Sequence, residues 1–155
     1  MRQVKYKFQR LKVYHLALDY VDRIYRLARE LPGAERFNLC SQLERAATSI
    51  VLNIAEGSTG QSDAEQNRFL GLALRSYMET IACLDIIEMR SYLTDSTLAA
   101  TRELGHELFI KLQSFRKALR SPVASPRSPV PGPRFPVPSP QSPVPSPQSP
   151  TPREL

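Results

Sequence analysis

The sequence predicts an all-α chain: an antiparallel up-down four-helix bundle over residues 1 to 120, followed by a disordered Pro/Ser-rich tail over 121 to 155. Three observations carry that expectation. Apolar residues recur every three or four positions in four separate stretches, as amphipathic helices require. Short breaks divide those stretches, which favours antiparallel neighbours. No stretch alternates apolar and polar residues as a strand would.

Leu11, Tyr14, Leu18, Val21, Tyr25 and Ala28 form the first stripe, and Ala17, Ile24 and Leu31 widen it. "LPGAE" stops this helix, because Pro32 disfavours helix at Leu31 and Gly33 permits a turn. The second stripe runs through Leu39, Leu43, Ala46, Ala47, Ile50 and Ile54 until Gly57. Ser62 and Glu65 then make a capping-box signature. The third helix they open carries Phe69, Leu70, Ala73, Leu74, Tyr77, Ile81, Leu84 and Ile87. Thr94 or Asp95 is the expected N-cap of a fourth helix lined by Leu98, Leu104, Leu108, Leu112, Phe115 and Leu119. In this topology the start of helix one, the second loop and the end of helix four share one pole.

From Ser121 onward thirteen of the chain's 14 prolines accumulate, a density no helix or packed core survives. The tail repeats every seven residues, as "SPVASPR", "SPVPGPR", "FPVPSPQ" and "SPVPSPQ". An extended, polyproline-like segment is expected. It is either a PxxP-type docking ligand or a tail with no selected role. The second is favoured, because the DNA heptamer CCCAGTC, repeated three times in frame, encodes residues 138 to 144.

Hydrophobic residues make up 41% of the 155, enough for one domain with a real core. No apolar run is long enough to span a membrane, and "MRQVKYKFQRLK" has no apolar signal-peptide core behind it, so no membrane partner and a cytoplasmic location are expected. Cys40 and Cys83 match no metal or redox spacing and are expected to be small buried hydrophobes. His15 and His106 have no second ligand at metal spacing, the Glu-x-x-His pair of di-iron bundles does not occur, and "GSTG" lacks the lysine of a phosphate loop. These absences point away from an enzyme and from any cofactor or metal.

Charge is segregated within the overall +6. Residues 1 to 12 carry net +5, residues 13 to 110 carry −5, and residues 111 to 155 carry +6. The bundle topology brings Lys5, Lys7, Arg10 and Lys12 to the same pole as Lys111, Arg116, Lys117 and Arg120. One basic surface results, and phosphate backbones are its usual partner. Tyr6 and Phe8 interleave with these cations, either to stack on unpaired bases or to tuck onto the core.

Asn53 and Glu56 interrupt the apolar run "SIVLNIAEG". Three apart on a helix, they share a face beside the second loop. The expected role is a polar lock on that loop, with Arg68 as the nearest partner across the hairpin and direct ligand contact as the alternative. Gly57 is expected to end helix two in the left-handed C-cap conformation.

Leu11 with Ala17, Leu31-Pro32, Gln42-Leu43, Arg45-Ala46-Ala47, Ser49-Ile50, "NIAEG" at 53 to 57, Arg68-Phe69-Leu70, Ala73, Ser76 and Glu79 together resemble the four-helix-bundle family of bacterial 23S ribosomal RNA intervening-sequence proteins. The resemblance covers roughly residues 8 to 119; the proline tail and Arg75 depart from it. It implies a small non-enzymatic bundle. The family is similar to the accessory bundle protein of diversity-generating retroelements, which implies a homopentameric ring binding RNA and a reverse transcriptase. Two functions follow as expectations. One is a nucleic-acid-binding accessory protein, RNA preferred over DNA. The other is a protein-interaction scaffold that recruits a reverse transcriptase or other enzyme. Val13, Leu16 and Leu27 are the expected extra apolar surface for ring assembly.

Overall fold

A computed structural model describes residues 6–60 and 62–120. Lys5 and the 121 to 155 tail therefore lie outside the described residues. A 3-10 turn, Phe8–Arg10, leads into α1 (Lys12–Arg29). A short 3-10 turn and one π-helical turn, Arg36–Cys40, lead into α2 (Ser41–Gly57), followed by α3 (Asp63–Met89) and α4 (Asp95–Arg120). Each helix packs on its neighbours in sequence, and α4 closes back on α1. This is the predicted four-helix bundle, and no strand occurs among the described residues.

The caps follow local chemistry. Ser62 Oγ accepts the Glu65 N–H at 3.1 Å, so the capping box opens α3 as its sequence implies. Thr94 precedes α4 and its hydroxyl accepts the Thr97 N–H at 3.4 Å. At the end of α3 the Tyr92 N–H bonds to Ile87 O and the Ser91 N–H to Glu88 O, a Schellman closure. Ser91 sits there at φ 53, a left-handed conformation that costs a non-glycine residue about 1–2 kcal/mol.

Burial corrects the phase of the first stripe. The inward line of α1 is Val13, Ala17, Tyr20, Ile24, Leu27 and Ala28, whereas Leu18 is exposed. Of the three residues expected to offer apolar surface for assembly, Val13 and Leu27 thus belong to the chain's own core and Leu16 is partly buried against it. Tyr20 takes a central position because its hydroxyl finds a buried partner. Thr80 gives its hydroxyl proton to Tyr77 O at 2.6 Å, so it accepts from Tyr20 at 2.8 Å. Gly105 makes room for this ring, since a Cβ there would lie 2.8 Å from Tyr20 and 3.0 Å from Tyr77.

Burial holds the Tyr20 hydroxyl proton far above the ordinary tyrosine value of 10.0, and raises Tyr77 as well. The unfolded chain releases these protons near pH 10 while the folded chain keeps them. Their stabilising contribution is complete below pH 10 and declines as pH rises past it. Thermal melts are expected to show level stability from pH 8 to about 9 and falling stability above pH 10, approaching a slope of about 1.4 kcal/mol per pH unit from Tyr20, with Tyr77 adding in the same direction. Tyr20→Phe is expected to make the decline shallower and to cost about 0.5–1.5 kcal/mol at neutral pH.

The corner between α2 and α3 differs from its sequence expectation. Gly57 is not a left-handed C-cap: it is the last residue of α2, and Gly60 at φ 96 is the glycine that turns left-handed. Its absent side chain serves helix contact instead, because a Cβ would meet Phe69 Cβ at 2.8 Å and the Gln66 backbone at 3.4 Å. The lock also lies elsewhere. Asn53 donates back to Ser49 O at 2.8 Å within its own helix, and Glu56 is exposed. Arg68 reaches Glu65 at 3.4 Å rather than either of them. The buried bonds that close the corner run from Gln66 Nε2 to Ser58 Oγ at 3.3 Å and from Ser58 Oγ to Ile54 O at 2.9 Å.

Candidate nucleic-acid interface

The pole that collects the cations is built from four segments: the entry to α1, the end of α2, the start of α3 and the end of α4. At the entry, Leu11 is extended and the preceding 3-10 turn folds back on the bundle. Phe8 packs edge-on against Tyr14 at 4.9 Å. Tyr6 stacks on Phe8 with ring planes 3° from parallel and centres 6.0 Å apart, and is 65% exposed. The Gln9 side chain fixes this arrangement by accepting the Tyr6 N–H at 2.9 Å. Thus Phe8 tucks inward while Tyr6 offers a flat face beside exposed Lys7 and Arg10.

The remaining predicted cations fall into two groups rather than one sheet of charge. Lys12 and Lys111 border a shallow depression of about 380 Å³ between α1 and α4, with Asp19 and Glu107 beside them. Two carboxylates therefore temper this group. Arg116 turns the other way, toward α3, where its Nε donates to Asn67 Oδ1 at 3.0 Å. Its guanidinium lies 3.4 Å from where a Cβ on Gly71 would stand, so the glycine cradles it. Lys117 and Arg120 are exposed in the last turns of α4.

Arg116 joins a cluster that sequence reasoning did not assemble. With Arg68 and Arg75 it borders an open groove of about 1000 Å³ between α3 and α4, floored by Leu72, Met78 and Phe109. Arg68 lies over the Phe69 ring at 4.5 Å. Glu79 is the carboxylate of this groove, yet Arg75 and Arg116 make no ion pair among the described residues. The available signal was the seven-residue spacing of Arg68 and Arg75, which puts both on one face of α3.

Burial pushes the Cys40 and Cys83 thiols up, away from the thiolate a nucleophile needs. Among the described residues no three His, Cys, Asp or Glu side chains converge as a metal site would require. No described helix is long and apolar enough to cross a membrane.

Residues 9–114 match the family described as 23S rRNA-intervening sequence protein. The chain belongs to that family. A crystal structure from Bacteroides thetaiotaomicron, described as a protein with unknown function from the S23 ribosomal protein family, is similar at 28% identity and a TM-score of 0.63. The match covers 68% of this chain and 98% of that one. No curated protein matches. The family match thus spans α1 through most of α4, including Arg68 and Arg75 of the groove, whereas Arg116 lies just past its end.

Proposed function

We propose that this intervening-sequence protein is a non-enzymatic, cytoplasmic RNA-binding accessory protein that uses the cationic pole to hold phosphates. Lys7, Arg10, Lys12, Lys111, Arg116, Lys117 and Arg120 are its phosphate contacts, with Lys5 as a further one beyond the described residues. One observation carries this reading: Tyr6 keeps 65% of its surface in solvent, lying parallel to Phe8 in the midst of the cations. A flat exposed ring among positive charges suits unpaired bases and their phosphates. The ribosomal RNA in the family's name supports RNA over DNA. A filter-binding titration with a structured RNA tests it: saturable binding at low salt is expected, weakening as salt is added. No binding at low salt contradicts it.

The protein is also proposed to work as a ring of identical chains, the number five resting on the resemblance to the retroelement accessory bundle. The apolar surface for this lies on α3. Met78, Ala82, Ile86 and Met89 recur on its outer face, and Met89 is 73% exposed. The same stripe would serve the scaffold reading, in which a reverse transcriptase or other enzyme docks on it. Light scattering is expected to give a mass near five chains of 17.5 kDa each. Replacing Met78, Ile86 and Met89 by lysine is expected to yield monomer. A wild-type monomer at micromolar concentration contradicts the ring.

A further inference from the structure

The opposite pole carries a feature that the phosphate-binding surface does not use. α1 ends at Arg29, Pro32 follows in the connection, and one π-helical turn, Arg36–Cys40, replaces an ordinary α-helical start to α2. π-turns are rare and recur at functional sites. Here the turn buries Leu39 and Cys40 and sends Phe37 outward, where it is 89% exposed, more than any other large apolar side chain described. Phe37, Ser41 and Arg45 follow one another at four-residue spacing on the solvent face. All three are exposed among the described residues.

Three arginines share a cleft with this ring. Arg29 from the last turn of α1, Arg36 from the π-turn and Arg45 from α2 border one cleft of about 750 Å³ together with Tyr25, Pro32 and Phe37. Glu44 and Cys40 also border it, so its charged lining is three cations to one anion. The Arg36 guanidinium stands 5.6 Å from the Phe37 ring centre. Among the described residues none of these arginines forms an ion pair. The adjacent Glu35 is already engaged, by Tyr92 at 2.9 Å and Asn38 at 3.1 Å.

We propose that this cleft is a second nucleic-acid contact, stacking one unpaired base on Phe37 and taking the flanking phosphates on Arg29, Arg36 and Arg45. It rests on the RNA-binding reading and adds a second single-stranded segment, at the opposite pole, to its substrate. The alternation of a flat apolar face with guanidinium groups matches a base and its phosphodiesters. An acidic peptide would satisfy the arginines and leave the ring without a flat partner.

The chain has no tryptophan, so Phe37→Trp in the full protein introduces a single reporter. The probe is a labelled single-stranded oligoadenylate, with binding followed independently by anisotropy. Quenching of the introduced indole by oligoadenylate, but not by duplex RNA, is expected. Phe37→Ser is expected to bind the oligonucleotide about ten-fold more weakly, with Phe37→Tyr restoring affinity. Anisotropy that reports binding while the indole emission stays unchanged and Phe37→Ser binds like wild type overturns this site and leaves the RNA-binding reading intact. Absence of binding to any RNA defeats that reading first and this inference with it. Equal quenching by polyglutamate assigns the cleft to acidic peptides and overturns the proposal.

Discussion

Changing Lys7, Arg10, Arg116 and Lys117 together to glutamate is expected to weaken RNA binding on the order of 100-fold or more at moderate salt, with helicity unchanged. Each lost cation forfeits the release of counterions from a phosphate, and each added carboxylate repels the backbone. Lys7, Arg10 and Lys117 are exposed, so reversal leaves the core untouched. Arg116 is half-buried against Gly71 and bonds to Asn67, but it borders an open groove that can hydrate a carboxylate. Arg23 and Arg26 supply the control. They lie toward the other pole, where Arg23 bonds to Thr101 and Arg26 pairs with Asp22. Their reversal is expected to change affinity little. A control that cripples binding while the pole variant does not would move the interface. Filter binding of both variants to one RNA measures the difference.

Gly57→Ala is expected to destabilise the bundle by about 1–3 kcal/mol, against the usual sign for a glycine within a helix. Alanine has the better helix propensity by roughly 1 kcal/mol. The helix contact outweighs it, because the new methyl would sit 2.8 Å from Phe69 Cβ, an atom fixed to its backbone. Relief requires α2 and α3 to separate, loosening the buried Ser58–Gln66 bond beside them. Glu56→Gln, one residue away on the exposed face, is expected to leave the melting temperature within experimental error. Denaturant unfolding of both variants checks the pair. An unchanged or raised midpoint for Gly57→Ala would contradict the close approach.

These two sites mark where the sequence could be read and where it could not. Helix number, order and most caps follow from local chemistry, so Ser62, Thr94 and the Pro32-Gly33 break were legible. The role of Gly57 was not, because a glycine at a helix end suggests a left-handed cap unless the partner helix is known to touch it. The centre of the first stripe was obscured for a similar reason. Leu18 and Val21 look more apolar than Tyr20, yet Tyr20 is wholly buried because Thr80 waits sixty residues away to accept its hydroxyl. Charge showed the same limit. Sequence placed Lys12, Lys111 and Arg116 at one pole, but helix rotation set Arg116 on the α3 side and left the two lysines between α1 and α4. Phe37 carried no signal at all, since nothing in "RFNLC" distinguishes a π-turn from an α-helical one.

The central claim, that cations of this pole neutralise RNA phosphates, is tested most directly by the salt dependence of affinity for the wild type and the four-residue variant. Each phosphate contact contributes about −0.7 to −0.9 to the slope of log affinity against log salt. The wild type is expected to show a steep slope, and the variant a slope shallower by about 3. Equal slopes for the two proteins would contradict the claim, whatever their affinities.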